Sequence, residues 1–261
     1  MAQTDTGDPQ MPSGERTFGG WNLLTRRISQ ILLLCALGGV NQAQPAAGIS
    51  EPFAARFSLT TQGAKIGETE WSVKSVATDI FVYESRTVAA GIIALVNDDE
   101  IVERSVWQND RGALLPLSYS YRRSGGDRER NIAVNFDWEN SQAENTASGH
   151  SWRMPVPAGT LDKLSYVLVL MKDLAENKTE LRYQIADGGR LKVYQLKIEG
   201  EERIDTALGP METVVVRRLR NSEERETLLW CAKNLNYLPV MIEHREKDGT
   251  VLWRIESFEQ Q

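Results

Sequence analysis

From Phe53 onward, apolar and polar residues alternate along most of the chain, and the alternation is interrupted at short intervals by turn-forming residues. A period of two places every second side chain on one face of a pleated strand, so a chain written this way folds as sheet. The alternation predicts strands at Phe53–Gln62, Glu68–Ala77, Asp79–Val88, Glu100–Gln108, Leu115–Arg123 and Arg130–Trp138. A second series is predicted at Glu180–Ala186, Leu191–Ile198, Glu202–Ala207, Thr213–Leu219, Arg225–Ala232, Leu238–Glu246 and Thr250–Phe258. Between them stand Gly63–Gly67, Asp110-Arg111-Gly112, Gly125-Gly126, Asp187-Gly188-Gly189 and Asp248-Gly249, residues that tolerate the positive φ of tight turns. The Ser/Gln/Asn/Gly-rich stretch between Trp138 and Trp152 reads as a loop.

One segment departs from the period. Leu161, Leu164, Leu168, Met171 and Ala175 recur at three- and four-residue steps, widened by Val167 and Leu174. That spacing predicts an amphipathic helix over Thr160–Glu176, about 25 Å long. Thr160 is its expected cap, Asp162 complements its dipole and Asn177 is its stop. Its apolar face needs a partner, and the sheet is the large one available. The expected fold is therefore mainly β: a curved, barrel-like antiparallel sheet with one helix packed against it.

A spacing recurs within the strands. Glu103-x3-Trp107-x8-Pro116-x5-Arg122 is repeated 123 residues later as Glu226-x3-Trp230-x8-Pro239-x5-Arg245. This predicts two similar halves, about 53–150 and 177–261, joined by the helix within a single domain over 49–261, with Trp107, Pro116, Trp230 and Pro239 in structural roles.

The second copy runs Leu229-Trp230-Cys231-Ala232-Lys233-Asn234-Leu235-Asn236-Tyr237-Leu238-Pro239-Val240-Met241-Ile242-Glu243-His244 and leads into Lys247-Asp248-Gly249. It resembles the closing hairpin of a bacterial envelope family known as domain of unknown function 3108. Trp107 through Tyr121, Phe136-Asp137-Trp138 and Thr160-Leu161-Asp162 are similar to that family too, so the resemblance spans about Phe53–Phe258. It implies an exported, β-rich, barrel-like fold and brings no activity or catalytic residues.

Residues 1–48 read as an extension plus a signal peptide. Arg26-Arg27 precede the apolar run Ile28–Val40, and small and polar residues follow to Gly48. A helix of that run is about 20 Å long against roughly 30 Å of bilayer hydrocarbon, which fits an export signal (about 26–47) better than an anchor. The expected location is periplasmic, with no membrane span in the mature chain. Met11 is an alternative start to Met1, and an uncleaved anchor is the alternative to a cleaved signal.

Charge and reactive side chains exclude more than they assign. The formal net charge is −6, and the leader's three basic and three acidic residues cancel, so the mature part lacks the basic face that nucleic-acid binding needs. Cys35 lies in the leader, which leaves Cys231 alone and unable to form an internal disulfide; on a strand face with Leu229 it reads as a small buried hydrophobe. His150 and His244 are the two histidines, short of a zinc set, and Asn97-Asp98-Asp99-Glu100 reads as a solvated turn. No Gly-x-Ser-x-Gly elbow is present, Ser124 reads as a hairpin serine, and nothing calls for a cofactor.

The expected function is thus non-catalytic: a binding or carrier protein holding a lipid, an acyl chain or a glycan. Trp138 and Trp152 would stand at the pocket mouth, and Leu164, Leu168 and Met171 would line it from the helix. The alternative is an assembly or scaffold protein that docks an envelope protein on a filled barrel, and a carbohydrate-active hydrolase stands third. A cavity of roughly 300 Å³ or more separates the first reading from the second.

Overall fold

The computed structural model describes residues 50–91, 94, 98–125, 129–219, 225–247 and 249–261. The expected leader lies outside them. Fourteen antiparallel strands form one sheet: β1 (Phe53–Thr61), β2 (Ala64–Ala77), β3 (Ile80–Ala89), β4 (Glu100–Asp110), β5 (Ala113–Ser124), β6 (Arg130–Asp137), β7 (Gln142–Ala147) and β8 (His150–Pro155), then β9 (Leu181–Asp187), β10 (Arg190–Thr206), β11 (Gly209–Leu219), β12 (Glu226–Ala232), β13 (Leu238–Glu246) and β14 (Gly249–Gln260). The helix α1, Ser165–Ala175, connects β8 to β9.

Three expectations about the strands are corrected. The stretch between Trp138 and Trp152 holds β7 and carries on into β8, because Ala143, Asn145 and Met154 suffice to bury one face while polar residues cover the other. The separate strands at Leu191–Ile198 and Glu202–Ala207 are one strand, β10, whose register against β11 shifts between Ile198 and Gly200. An extra residue at that point bends the strand without ending it. Likewise β2 starts at Ala64, so the turn there is confined to Gln62-Gly63.

The helix is shorter than its apolar pattern, and its cap is Asp162. The Asp162 carboxylate accepts the backbone N–H of Leu164 at 2.8 Å and of Ser165 at 2.9 Å, while the Ser165 hydroxyl accepts the Asp162 N–H at 2.9 Å. This reciprocal box satisfies donors that have no partner within a helix's first turn. Thr160 instead donates its hydroxyl to the Pro157 carbonyl. Asn177 takes the left-handed conformation just after the last turn.

Strand order across the sheet is β8-β7-β6-β5-β4-β3-β2-β1-β14-β13-β12-β11-β10-β9. Laid flat, β5 and β9 would stand about 48 Å apart, ten strand spacings. Yet Tyr119 and Tyr121 of β5 and Asp187 of β9 line the same recess. The sheet therefore curls, with its two ends brought together around α1. Leu164, Val167, Leu168, Leu170 and Leu174 are buried, and Phe53, Phe57, Val73, Tyr83, Trp107, Val216 and Ile255 join them in one apolar cluster.

The curled sheet is not closed by a β8–β9 ladder. Leu161 instead forms a short parallel bridge to β9, with Leu161 N–H to the Gln184 carbonyl and Ala186 N–H to the Leu161 carbonyl, both 2.8 Å. Beside this seam the Trp152 indole donates to the Gly189 carbonyl at 3.3 Å. Gly189 has φ of 71°, and a β-carbon there would lie 2.1 Å from the Trp152 ring. Only glycine meets both conditions.

Candidate functional site

Polar side chains occupy the core-facing side of the sheet where α1 begins. Ser105, two residues before Trp107 on the same face of β4, donates to the fully buried Asp162 carboxylate at 2.6 Å. Burial pushes the Asp162 carboxyl above the usual range, against the pull of the hydrogen bonds from Ser105, Ser165 and Leu164.

Beside this pair and on to the far end of α1, three carboxylates are each shared between a tyrosine hydroxyl and a lysine. Glu103 accepts from Tyr119 and, at 3.3 Å, from Lys163. Asp187 accepts from Tyr194 at 3.1 Å and from Lys192 at 2.7 Å. Asp173 accepts from Tyr183 at 2.9 Å and from Lys178 at 2.6 Å. Burial, reinforced by these carboxylates, raises all three phenols above their ordinary value, so they serve as donors. Burial opposes ionisation of Asp187, but Lys192 and Lys163 outweigh it and hold its carboxyl low. Each carboxylate has a cation as partner, which offsets the cost of its burial, while the lysines reach out to solvent.

Among the described residues one hollow adjoins α1 and another adjoins the turn before it. The first is a crevice between the helix and the β1–β14 pair, lined by Phe53, Phe258 and Leu235 and by Leu168 and Met171, with Lys172 and Gln260 at its rim; its volume is about 40 Å³. The second is a recess of about 210 Å³ at the seam, lined by Tyr119, Tyr121, Lys163, Arg130 and Asp187. Lys163 and Arg130 lie 5.6 and 5.9 Å from the centre of the Tyr121 ring.

The sequence-predicted site residues are placed separately. Leu168 and Met171 line the crevice, whereas Leu164 is buried in the core cluster. Trp138 stacks on Phe136, ring centres 5.3 Å apart, and donates its indole N–H to the Pro116 carbonyl at 2.7 Å. Trp152 lies on Gly189 at the seam. Glu103, Lys163, Asp187 and their tyrosines carried no motif. The available signal was parity, since Glu103 and Ser105 share a strand face with Trp107 and must point inward with it.

The remaining reactive groups are engaged elsewhere. Cys231 is fully buried, and burial pushes its thiol up, away from the nucleophilic thiolate. His244 lies 2.9 Å from the Thr227 hydroxyl and 3.0 Å from Glu246; it pairs across the strands with Thr227, while Cys231 pairs with Pro239. His150 approaches the Ser148 carbonyl at 3.1 Å. In the acidic run that leads into β4, Asp99 pairs with Arg123 and Glu100, the strand's first residue, with Arg86. Among the described residues no three His, Cys, Asp or Glu side chains come together to hold a metal ion, and no helix is long and apolar enough to cross a membrane.

A single curled antiparallel sheet wound on a central helix defines a barrel-like β protein. The chain belongs to the family described as protein of unknown function (DUF3108), whose model matches residues 56–255. The fold is similar to the crystal structure of a beta-barrel-like protein of domain of unknown function DUF1849 from Brucella abortus, with TM-score 0.57, 9% identity, and coverage of 82% of this chain and 100% of that one. A candidate lipoprotein from Parabacteroides distasonis aligns over 82% of this chain and 98% of its own, with 11% identity and TM-score 0.34. No curated protein matches.

Proposed function

We propose that the protein is an exported, non-catalytic envelope protein that works through its outer surface, as an assembly or docking module on a filled barrel. The observation that carries this reading is how small an apolar hollow the helix leaves beside it. The buried leucines of α1 pack into the core cluster of the sheet, and the apolar crevice offers about 40 Å³ where ligand pockets begin at about 300 Å³. The family resemblance and the expected leader support the envelope address. Native mass spectrometry of protein purified from its own envelope fraction tests it: the expected spectrum shows polypeptide mass alone, and a stoichiometric retained amphiphile overturns it.

A second reading, a carrier for a hydrophobic or amphiphilic ligand, draws on the crevice, because Leu168 and Met171 meet Phe53 and Phe258 there. It requires α1 to move away from β1 and β14. A rise in melting temperature on adding a fatty acid, lost in Met171→Asp, would establish it.

A further inference from the structure

Large apolar side chains are exposed at few places among the described residues, and three of them, Leu191, Val193 and Leu219, lie at the seam end of β10 and β11. Val193 is 48% exposed. The register sets Gln195 of β10 opposite Leu219, so Val193 and Leu219 are near neighbours. Together they line an open concavity of about 570 Å³ with Arg182, Lys192 and Arg218.

The charge of that concavity is one-sided. Among the described residues no carboxylate lines it. Lys192 is neutralised by Asp187 at 2.7 Å, but Arg182 and Arg218 have no carboxylate partner among the described residues. The Arg218 guanidinium lies 3.2 Å from the centre of the Tyr194 ring, which holds it in place without cancelling its charge. Trp152, itself 38% exposed, sits against Gly189 at the neighbouring hairpin tip. Exposed aliphatic residues set among arginines and beside a tryptophan match the boundary layer of a bilayer, where acyl carbon meets charged headgroup.

We infer that this end of the sheet, β9 to β11 around Arg182, Val193, Arg218 and Leu219, docks on a membrane surface of anionic lipid. This rests on the reading that the protein acts through its outside, and it names the partner. The patch is only about three aliphatic side chains wide, short of the roughly 800 Å² per partner of a stable protein interface. Shallow insertion into headgroups needs no such area, because the arginines supply the rest by attraction to the surface charge.

Vesicle co-sedimentation with the full chain provides the test. Vesicles of phosphatidylcholine mixed equally with phosphatidylglycerol should retain the protein, pure phosphatidylcholine should not, and salt should release it. Arg182→Gln should weaken partition about fivefold, the loss of one cation near the surface. Val193→Ser should weaken it about threefold through lost apolar contact. Both positions are exposed in the free protein, so an unchanged melting curve confirms folding. Absence of binding to the mixed vesicles, or binding indifferent to both substitutions, overturns the inference. So does capture by soluble polyglutamate without vesicle binding, which assigns the face to an acidic protein. Failure here, with no amphiphile retained in the native spectrum, removes the lipid partner and leaves the surface-acting reading standing.

Discussion

Trp107 and Trp230 occupy the same place in a repeated spacing and opposite faces of the sheet. In the first copy Trp107 pairs with Pro116, stacks on Phe81 with ring centres 4.6 Å apart, and is fully buried on the face that meets α1. In the second copy Trp230 pairs with Met241, and it is Cys231 that pairs with Pro239. The ladders are one residue out of step: Glu226 stands opposite Arg245 and binds it at 2.9 Å, while Glu103 stands opposite Tyr121 and turns inward to Tyr119 and Lys163. A one-residue slip sends every side chain to the other face. Cys231 therefore takes the inward position that Trp107 fills, and the Trp230 indole turns to the Glu202 carboxylate at 2.8 Å. Identical spacing fixed the hairpins but not which face they turn to the helix.

The largest expected effect falls on the first copy. Trp107→Ala should cost about 3–5 kcal/mol in chemical denaturation, the usual range for removing a buried tryptophan. Trp230→Ala should cost visibly less, and equal costs would mean that the two rings are equivalent after all.

A smaller effect isolates the polar contact of the second copy. Trp230→Phe should cost about 0.5–1.5 kcal/mol, because the Glu202 acceptor is exposed, with Glu202→Gln non-additive in a double-mutant cycle. The corresponding substitution Trp107→Phe removes an N–H that has no hydrogen-bond partner among the described residues, and should show no such coupling.

The third test concerns Ser105, whose counterpart 123 residues later is Leu228. Only the first copy thus ties its strand to the helix cap. Because burial raises the Asp162 carboxyl in the folded state, the folded protein holds that proton more tightly than the unfolded chain. The resulting stability is fully present below the unfolded value of about 3.9 and is lost as pH rises through the higher folded value. Asp162→Asn should flatten that part of the stability–pH curve, measured by urea midpoints. An unchanged slope would show that another group governs it.

Much of the fold was legible because it rests on local periodicity. A strand such as β9 carries clean alternation from Leu181 to Ile185, and the helix carries its three-to-four spacing. β7 and β8 were hidden because an edge hairpin needs few buried side chains. The candidate site was less legible. Glu103, Lys163 and Asp187 look like ordinary surface charges until the curl of the sheet brings β4, β5 and β9 to one helix end. Trp152 looked like a stacking platform, and its seat on Gly189 depends on a residue 37 positions away.

The sequence by itself determined that the described residues form an antiparallel β fold with one amphipathic α-helix, because period-two and helical patterns depend on near neighbours along the chain. It also determined that few reactive groups are present, which is a matter of composition. Tertiary structure decided the register of the two hairpins, the inward turn of Glu103 and Asp162 and the packing of the helix against the sheet. Those outcomes depend on strands far apart in sequence closing around the helix, and on where each hairpin shifts register: between Val106 and Trp107 in one, between Trp230 and Cys231 in the other.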